Sequence, residues 1–226
     1  MEETVTVTLN GSEISGTSGT SILELARQNG IEIPTLCYHQ ELSPIGACRL
    51  CVVEVEGSRT LVGSCHTPIS PGMVIYTHSP KVLEARKVIV ELLLARHPDS
   101  CMLCSAANIC ELRAMAADLD VGAPRFRLRS RHYAIEDASP HITRDLTKCV
   151  LCRRCVRACD EIKGADVYAI AYRGSSSKVT VDCDQPLDKE VCRDCDVCIS
   201  VCPTGALSRK TAEPVPKKRP PLVIKG

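Results

Sequence analysis

Two cysteine runs of identical spacing constrain this chain more than anything else in it. The first is Cys149-x2-Cys152-x2-Cys155-x3-Cys159; the second is Cys192-x2-Cys195-x2-Cys198-x3-Cys202, with Pro203 directly after it. Three cysteines at steps of three gather their thiolates around one concave loop. The fourth, at the start of a helix, points away toward a second site. At this spacing each run gives three thiolates to one 4Fe-4S cluster and one to the other. Cys149, Cys152, Cys155 and Cys202 then share one cluster, and Cys192, Cys195, Cys198 and Cys159 share the other. Asp160 stands after Cys159 where the simplest such runs have proline, which weakens the local turn but removes no ligand. Zinc also takes Cys-x2-Cys pairs, but a closed zinc site draws four ligands from two separated pairs. Three cysteines within seven residues, twice, do not divide that way, and the spacing disfavours disulfides as well.

The N-terminus reads differently. TVTVTL over 4–9 is a β-branched alternating run, and Asn10-Gly11 supplies the positive-φ pair of a two-residue hairpin. Ser21 to Gly30 has a hydroxyl to cap its start and a glycine to end it, the signature of a short helix. Strand, hairpin, helix and cysteine-bearing loop is the order of a β-grasp domain. The loop carries Cys37-x10-Cys48-x2-Cys51-x13-Cys65. Gly46 and Ala47 are small enough to let backbone approach a cluster. Residues 52–64 read as a hairpin turning at Glu56-Gly57 that returns Cys65 to Cys51. Four thiolates so placed fit one 2Fe-2S cluster, although the long first gap departs from the plant-type pattern; Cys48 and Cys51 alone would also suit zinc.

Residues 80–96 start with proline and carry aliphatics at mixed three and four spacing, which predicts a buried helix. Directly after it lie His97, Cys101, Cys104 and Cys110. Three thiolates are one ligand short of a cubane, and His97 is the nearest residue with a neutral nitrogen to give. Asp99 and solvent are its competitors, and a histidine that merely ends the helix is the bland alternative. His39, His66, His78, His132 and His141 lack such a set, and His66, beside Cys65, could at most tune its cluster. A further helix is expected over 105–119, then a basic irregular connector over 122–132. Residues 166–182 predict a hairpin turning at Gly174. Cys183 fits no pattern and is expected to be a structural buried thiol. The tail PVPKKRPPLVIKG is expected to be extended.

A net charge of +1 implies neither nucleic acid nor an anionic membrane, and no stretch approaches the roughly 20 apolar residues of a span. The N-terminus has the features of neither a signal sequence nor a transit peptide. A cytoplasmic protein is therefore expected, where sixteen cysteines favour metal or redox sites. With no Trp and one Phe, large rings contribute little to the core, so bound clusters would organise much of it.

The order of these sets resembles the N-terminal iron-sulfur region of the large iron-sulfur subunit of respiratory complex I. Iron-only hydrogenases share that order, and NAD-dependent formate dehydrogenases fall in the same broad family. In length and motif the chain is similar to the small diaphorase subunits of NAD-linked bidirectional nickel-iron hydrogenases. IPTLCYH, ACRLCVVEVEG, RCVRACDEIKGA, AYRG and CPTGAL carry the likeness, which runs from about Val5 to Leu207. It implies a 2Fe-2S cluster on Cys37, Cys48, Cys51 and Cys65, a 4Fe-4S cluster on His97, Cys101, Cys104 and Cys110, and the two cubanes assigned above.

The expected fold is α+β in three parts: a β-grasp 2Fe-2S ferredoxin domain (1–78), a helical 4Fe-4S domain with one His and three Cys ligands (79–135), and a two-4Fe-4S ferredoxin-like domain (136–210), before the tail (211–226). The resemblance implies a hetero-oligomer in which the chain relays electrons between a flavin/NAD(H)-binding subunit and a catalytic partner, a nickel-iron hydrogenase or a molybdenum or tungsten enzyme. Neither a hydrogen-activating nor a molybdopterin domain is expected here, and no Gly-x-Gly-x-x-Gly or phosphate loop indicates a nucleotide site. No catalytic site of its own is expected. Formate dehydrogenase and aromatic acyl-CoA reductase complexes are the alternatives to hydrogenase. A free multi-cluster ferredoxin and a module stabilised by redox-silent metal are the alternatives of other classes.

Overall fold

The computed structural model describes residues 4–210 apart from 127, 129, 130, 137, 138 and 188. In β1 (Thr4–Leu9) the alternation turns Val5, Val7 and Leu9 inward. Asn10 (φ 51°) and Gly11 (φ 87°) then reverse the chain into β2 (Ser12–Thr17), with Leu9 opposite Ser12. A two-residue turn needs positive φ at both central positions, which Asn-Gly tolerates. α1 (Ile22–Gln28) begins with a capping box: the Glu24 amide donates to the Ser21 hydroxyl and the Ser21 amide to the Glu24 carboxylate, each at 3.2 Å. Such a cap is worth about 1 kcal/mol. Gly30 at φ 71° ends the segment as expected.

β3 (Val52–Val55), β4 (Val62–Gly63) and β5 (Val74–Tyr76) complete a five-stranded sheet of order β2-β1-β5-β3-β4, in which only β1 and β5 run parallel. Ile22, Leu23, Leu25 and Ala26 pack α1 on the strands' Val5, Val7, Leu9, Val53 and Ile75. Each Val, Leu or Ile among them contributes about 1.5–3 kcal/mol on burial. The expected hairpin forms, with Gly57 at φ 78°, and Val52 pairs with Gly63. The Ser64 amide continues the ladder to the Cys51 carbonyl at 3.0 Å, which sets Cys65 beside Cys51.

α2 (Pro80–Leu94) starts on a Ser79 cap. It buries one stripe, Val82, Arg86, Val90 and Glu91, so half of what it hides is charged rather than aliphatic. Glu91 is held by Arg125, whose Nη2 lies 2.7 Å from its carboxylate. α3 spans only Glu111–Asp118. The expected first turns, from residue 105, are spent instead on tight turns, Ala107 to Cys104 and Ile109 to Ala106, each at 3.0 Å. A cysteine loop must curve around its site, and these turns bend the chain more sharply than a helix would. Leu112, Met115 and Leu119 of this region pack with Val90, Leu36 and Leu50.

In the C-terminal part, β6 (Ile142–Arg144) precedes α4 (Arg154–Arg157), which continues into one wider π turn over Ala158–Ile162. β7 (Ala169–Ala171) and β8 (Lys178–Thr180) form the expected hairpin around Gly174. α5 (Val197–Ser200) leads to β9 (Leu207–Arg209), which returns antiparallel to β6. Their core joins Ile142, Tyr168, Val179, Val181, Ile199 and Leu207 to five cysteines. Cys183 corrects the sequence reading. It is exposed, in a turn where Asp182, Cys183 and Asp184 all have positive φ. The proline-rich tail lies outside the described residues. Among those described, no helix is long and apolar enough to cross a membrane.

Candidate metal centres

The N-terminal set lies where the β3–β4 hairpin meets the loop before β3. Cys37, Cys51 and Cys65 are buried and Cys48 is half-buried. The Cys48 amide donates to the Cys37 sulfur at 3.4 Å, and the Leu50 amide to the Cys48 sulfur at 3.5 Å. The neighbouring thiols act on one another in pairs: Cys48 draws the Cys37 thiol below its ordinary value and Cys65 does the same to Cys51, while Cys48 and Cys65 are themselves raised. Gly46 also makes room for a neighbouring side chain. A Cβ on it would stand 2.9 Å from the His66 ring, one on Gly63 would stand 2.5 Å from it, and that ring lies 3.4 Å from the Cys65 sulfur.

Between the end of α2 and the start of α3, one cleft is lined by His97, Cys101, Cys104, Cys110, Lys148 and Gly205, among others. All four predicted donors of the middle set thus face one space. The His97 Nδ1 lies 3.3 Å from the Pro98 carbonyl oxygen, while its Nε2 is buried without a hydrogen-bond partner. Burial pushes the imidazole below its ordinary value, which keeps the ring neutral at pH 7. A neutral ring with one nitrogen engaged on a carbonyl and the other unpartnered is the state of a ligating histidine. Asp99, its competitor, is exposed and does not line this cleft.

A second cleft is lined by Cys149, Cys152, Cys155 and Cys202, under Leu146 and Val179. Leu151 and Arg153, at φ 55° and 60°, curl the first run so that the Leu151 amide meets the Cys149 sulfur at 3.4 Å. Burial raises the thiols, to about 11 at Cys149 and about 12 at Cys152, with Cys202 the next cause at Cys152. Cys159 is buried in one core with Cys192 and Cys198 of the other run. Burial raises Cys192 and takes Cys198 to about 12, and the charge of Cys159 bears on both, as does that of Cys195. The Val167 amide donates to the Cys159 sulfur at 3.3 Å, and the Tyr168 hydroxyl lies 3.7 Å from the Cys198 sulfur. Cys202 of the second run thus lines the cleft of the first. Four buried thiolates around one space repel one another, so the site suits a cationic core bound with release of protons. Soft thiolate and imidazole donors in these numbers fit iron-sulfur clusters.

Sequence reasoning left Arg154 and Arg157 unassigned, yet they are only 4% and 8% exposed. They flank Cys155 one residue before and two after, so both sit on the short helix of the first run. Their partners are on the N-terminal loop: Arg154 donates to the Tyr38 carbonyl at 2.8 Å, and Arg157 to the carbonyls of Cys37, at 2.5 Å, and Ser43. The only trace in the sequence is a pair of arginines within a run otherwise bound for the interior.

Fold and sites together define a protein built of 2Fe-2S and 4Fe-4S electron-transfer domains. Residues 2–80 match the 2Fe-2S iron-sulfur cluster binding domain, residues 86–125 the NADH-ubiquinone oxidoreductase-G iron-sulfur binding region, and residues 139–208 the ferredoxin-like domain of NADH-quinone oxidoreductase subunit 3. The chain belongs to this family, that of the N-terminal iron-sulfur region of the large NADH-quinone oxidoreductase iron-sulfur protein and its hydrogenase counterparts. It is 38% identical to the NADP-reducing hydrogenase subunit HndD of Solidesulfovibrio fructosivorans, over 90% of this chain and 36% of that one. To an NADH-quinone oxidoreductase subunit of Rhizobium meliloti (strain 1021) it is 36% identical, over 90% of this chain and 24% of that one. It thus spans between a quarter and a little over a third of these relatives. A chain in the crystal structure of NAD+-reducing [NiFe]-hydrogenase in the H2-reduced state superposes with a TM-score of 0.81 at 30% identity, covering 98% of this chain and 97% of that one.

Proposed function

We propose that this chain is the iron-sulfur relay subunit of a multisubunit NAD(P)-linked oxidoreductase, passing electrons between a flavin/NAD(H)-binding subunit and a catalytic partner. The observation that carries the reading is the middle cleft, where three cysteines face a neutral histidine whose buried Nε2 has no other partner. In this reading Cys37, Cys48, Cys51 and Cys65 hold a 2Fe-2S cluster. Three 4Fe-4S clusters are held by His97, Cys101, Cys104 and Cys110; by Cys149, Cys152, Cys155 and Cys202; and by Cys192, Cys195, Cys198 and Cys159. The parts are bounded near residues 78 and 135. Bound there, the clusters supply one-electron reduction and reoxidation. The chain's own work is to fix their spacing, aim amides at sulfur and exclude water.

A hydrogenase is the first choice for the complex. A chain of an NAD+-reducing [NiFe]-hydrogenase matching nearly end to end supports it over a formate dehydrogenase. A permanent subunit is favoured over a diffusing carrier by two observations. A net charge of +1 gives little electrostatic steering, and Met102 and Leu103, between Cys101 and Cys104, are each 90% exposed. Anaerobic analysis should find about 14 iron atoms and as many sulfides per chain, the content of one 2Fe-2S and three 4Fe-4S clusters. Stoichiometric zinc with little sulfide would refute the relay. Co-expression with a flavin-binding partner should keep the clusters stable; a monodisperse, fully loaded chain that serves unrelated enzymes would point to a free ferredoxin.

A further inference from the structure

We propose that Arg154 and Arg157 form a guanidinium bridge between the N-terminal centre and the centre on Cys149, Cys152, Cys155 and Cys202, clamping the two together and raising both midpoint potentials. The inference rests on the ligand sets proposed above. The clamp is seen directly. Arg154 reaches the Tyr38 carbonyl at 2.8 Å and Arg157 the Cys37 carbonyl at 2.5 Å, so both pull on the stretch that begins at a predicted 2Fe-2S ligand. On the same face the Ser43 amide and hydroxyl bind the Glu161 carboxylate at 2.7 and 2.5 Å. Leu42 packs against Ala158 and Val201.

The charge of Arg154 is what makes the bridge more than a clamp. Its guanidinium is buried and paired at 2.6 Å with Glu111; it stands next in the chain to Cys155 of one centre and reaches the Tyr38 carbonyl, next in the chain to Cys37 of the other. Arg157 has no carboxylate at comparable distance among its hydrogen-bond partners, which are the carbonyls of Cys37 and Ser43. The Nε–H of each arginine is buried without an acceptor. Reduction adds one negative charge to a cluster, and a fixed buried cation nearby favours the reduced form. Because the same cation lies by both centres, it lifts both potentials together. One electron can then leave one centre and enter the other with no bond made or broken. Salt screens such a buried charge little.

The test uses the whole chain with its clusters assembled, and EPR-monitored redox titration of Arg154→Gln, Arg154→Lys, Ser43→Ala and Cys37→Ser. Arg154→Gln should shift both midpoints downward at unchanged iron content, and Arg154→Lys should hold them near the parent values. Ser43→Ala loosens the clamp without touching the charge and should leave both midpoints in place. If Arg154→Gln moves neither midpoint, or if Arg154→Lys falls as far as Arg154→Gln, the bridge is overturned as an electrostatic device. Should Arg154→Gln fail to fold, Arg157→Gln is judged by the same two midpoints. Cys37→Ser separates the two readings: it should remove or displace only the 2Fe-2S signal, and an unaltered signal would fault the ligand assignment rather than the bridge.

Discussion

Gly205 lies so close to Cys104 that a Cβ built on it would stand 3.2 Å from the cysteine sulfur and 3.0 Å from the Ala106 Cβ. The segment that follows Cys202 thus closes one wall of the cleft containing His97. Pro203 adds a second tie there, since its carbonyl accepts the Glu111 amide at 2.8 Å.

Gly205→Ala should therefore disturb the middle centre while leaving the N-terminal one in place. Neither Ala106 nor Cys104 can retreat far without moving its own turn, and overpacking of this kind costs about 1–3 kcal/mol. Iron retention and the EPR signal of that centre should fall while the 2Fe-2S signal holds. Gly122→Ala meets nothing within 4 Å and serves as the neutral comparison.

Arg86 is 1% exposed, its Nη2 donates to the Val52 carbonyl at 2.8 Å, and its Nε is buried without a partner. Burial brings the guanidinium down to about 10, opposed by Cys51. It therefore remains charged at pH 7. In Arg86→Met, relief from desolvation should offset the lost hydrogen bond, so stability should change by no more than about 1 kcal/mol. The cation bound to the carbonyl of Val52, next in the chain to Cys51, is lost all the same, and the midpoint of the N-terminal centre should fall. Thermal melts and a redox titration of one variant check both halves.

How far the sequence was legible follows from the range of each interaction. The β1–β2 hairpin and α1 could be read because Asn10-Gly11 and the Ser21–Glu24 box are local devices. The cysteine spacing could be read as far as the clefts that gather His97 with Cys101, Cys104 and Cys110, and Cys149, Cys152 and Cys155 with Cys202, because residues a few positions apart on one loop are local neighbours. Arg154 and Arg157 could not: the carbonyls that accept them are 116 and 114 residues away in the chain, at Tyr38 and Ser43. Without those acceptors an arginine on a short helix belongs at the surface. Cys183 was misread for a related reason, since nothing in its composition announces three consecutive positive φ values. α3 came out short because the chain between Cys104 and Cys110 answers to the cleft rather than to helix propensity.

Acid should loosen the N-terminal sheet by a definite route. Asn10 Nδ2 donates to the Thr77 hydroxyl at 2.8 Å, and that hydroxyl lies 2.6 Å from His78 Nδ1. Burial, and then Arg86, holds the His78 imidazole below its ordinary 6.5. The unfolded chain therefore binds the proton first as pH falls below 6.5, and stability declines through that window. With the ring only partly buried, the loss should stay under about 1 kcal/mol. Melting temperatures at pH 7.5 and 5.5 should differ less in His78→Asn than in the parent; an equal difference would locate the acid sensitivity elsewhere.

The ligand most open to direct test is His97. An imidazole is neutral where a thiolate is anionic, so a centre held by His97 with Cys101, Cys104 and Cys110 carries one negative charge fewer than an all-cysteine site. Its reduced form is correspondingly less disfavoured, which is why histidine ligation raises the potential of Rieske centres. His97→Cys should keep the cluster and lower its midpoint. His97→Ala leaves the cleft one donor short, and the cluster should become labile or accept an external ligand such as imidazole. Cys183→Ser should change neither iron content nor spectra, because the thiol is exposed and apart from every set. Low-temperature EPR with redox titration reads all three variants. Were His97→Ala to leave all four signals and midpoints untouched, His97 would be no more than the residue that ends α2, and its unpartnered Nε2 would need another explanation.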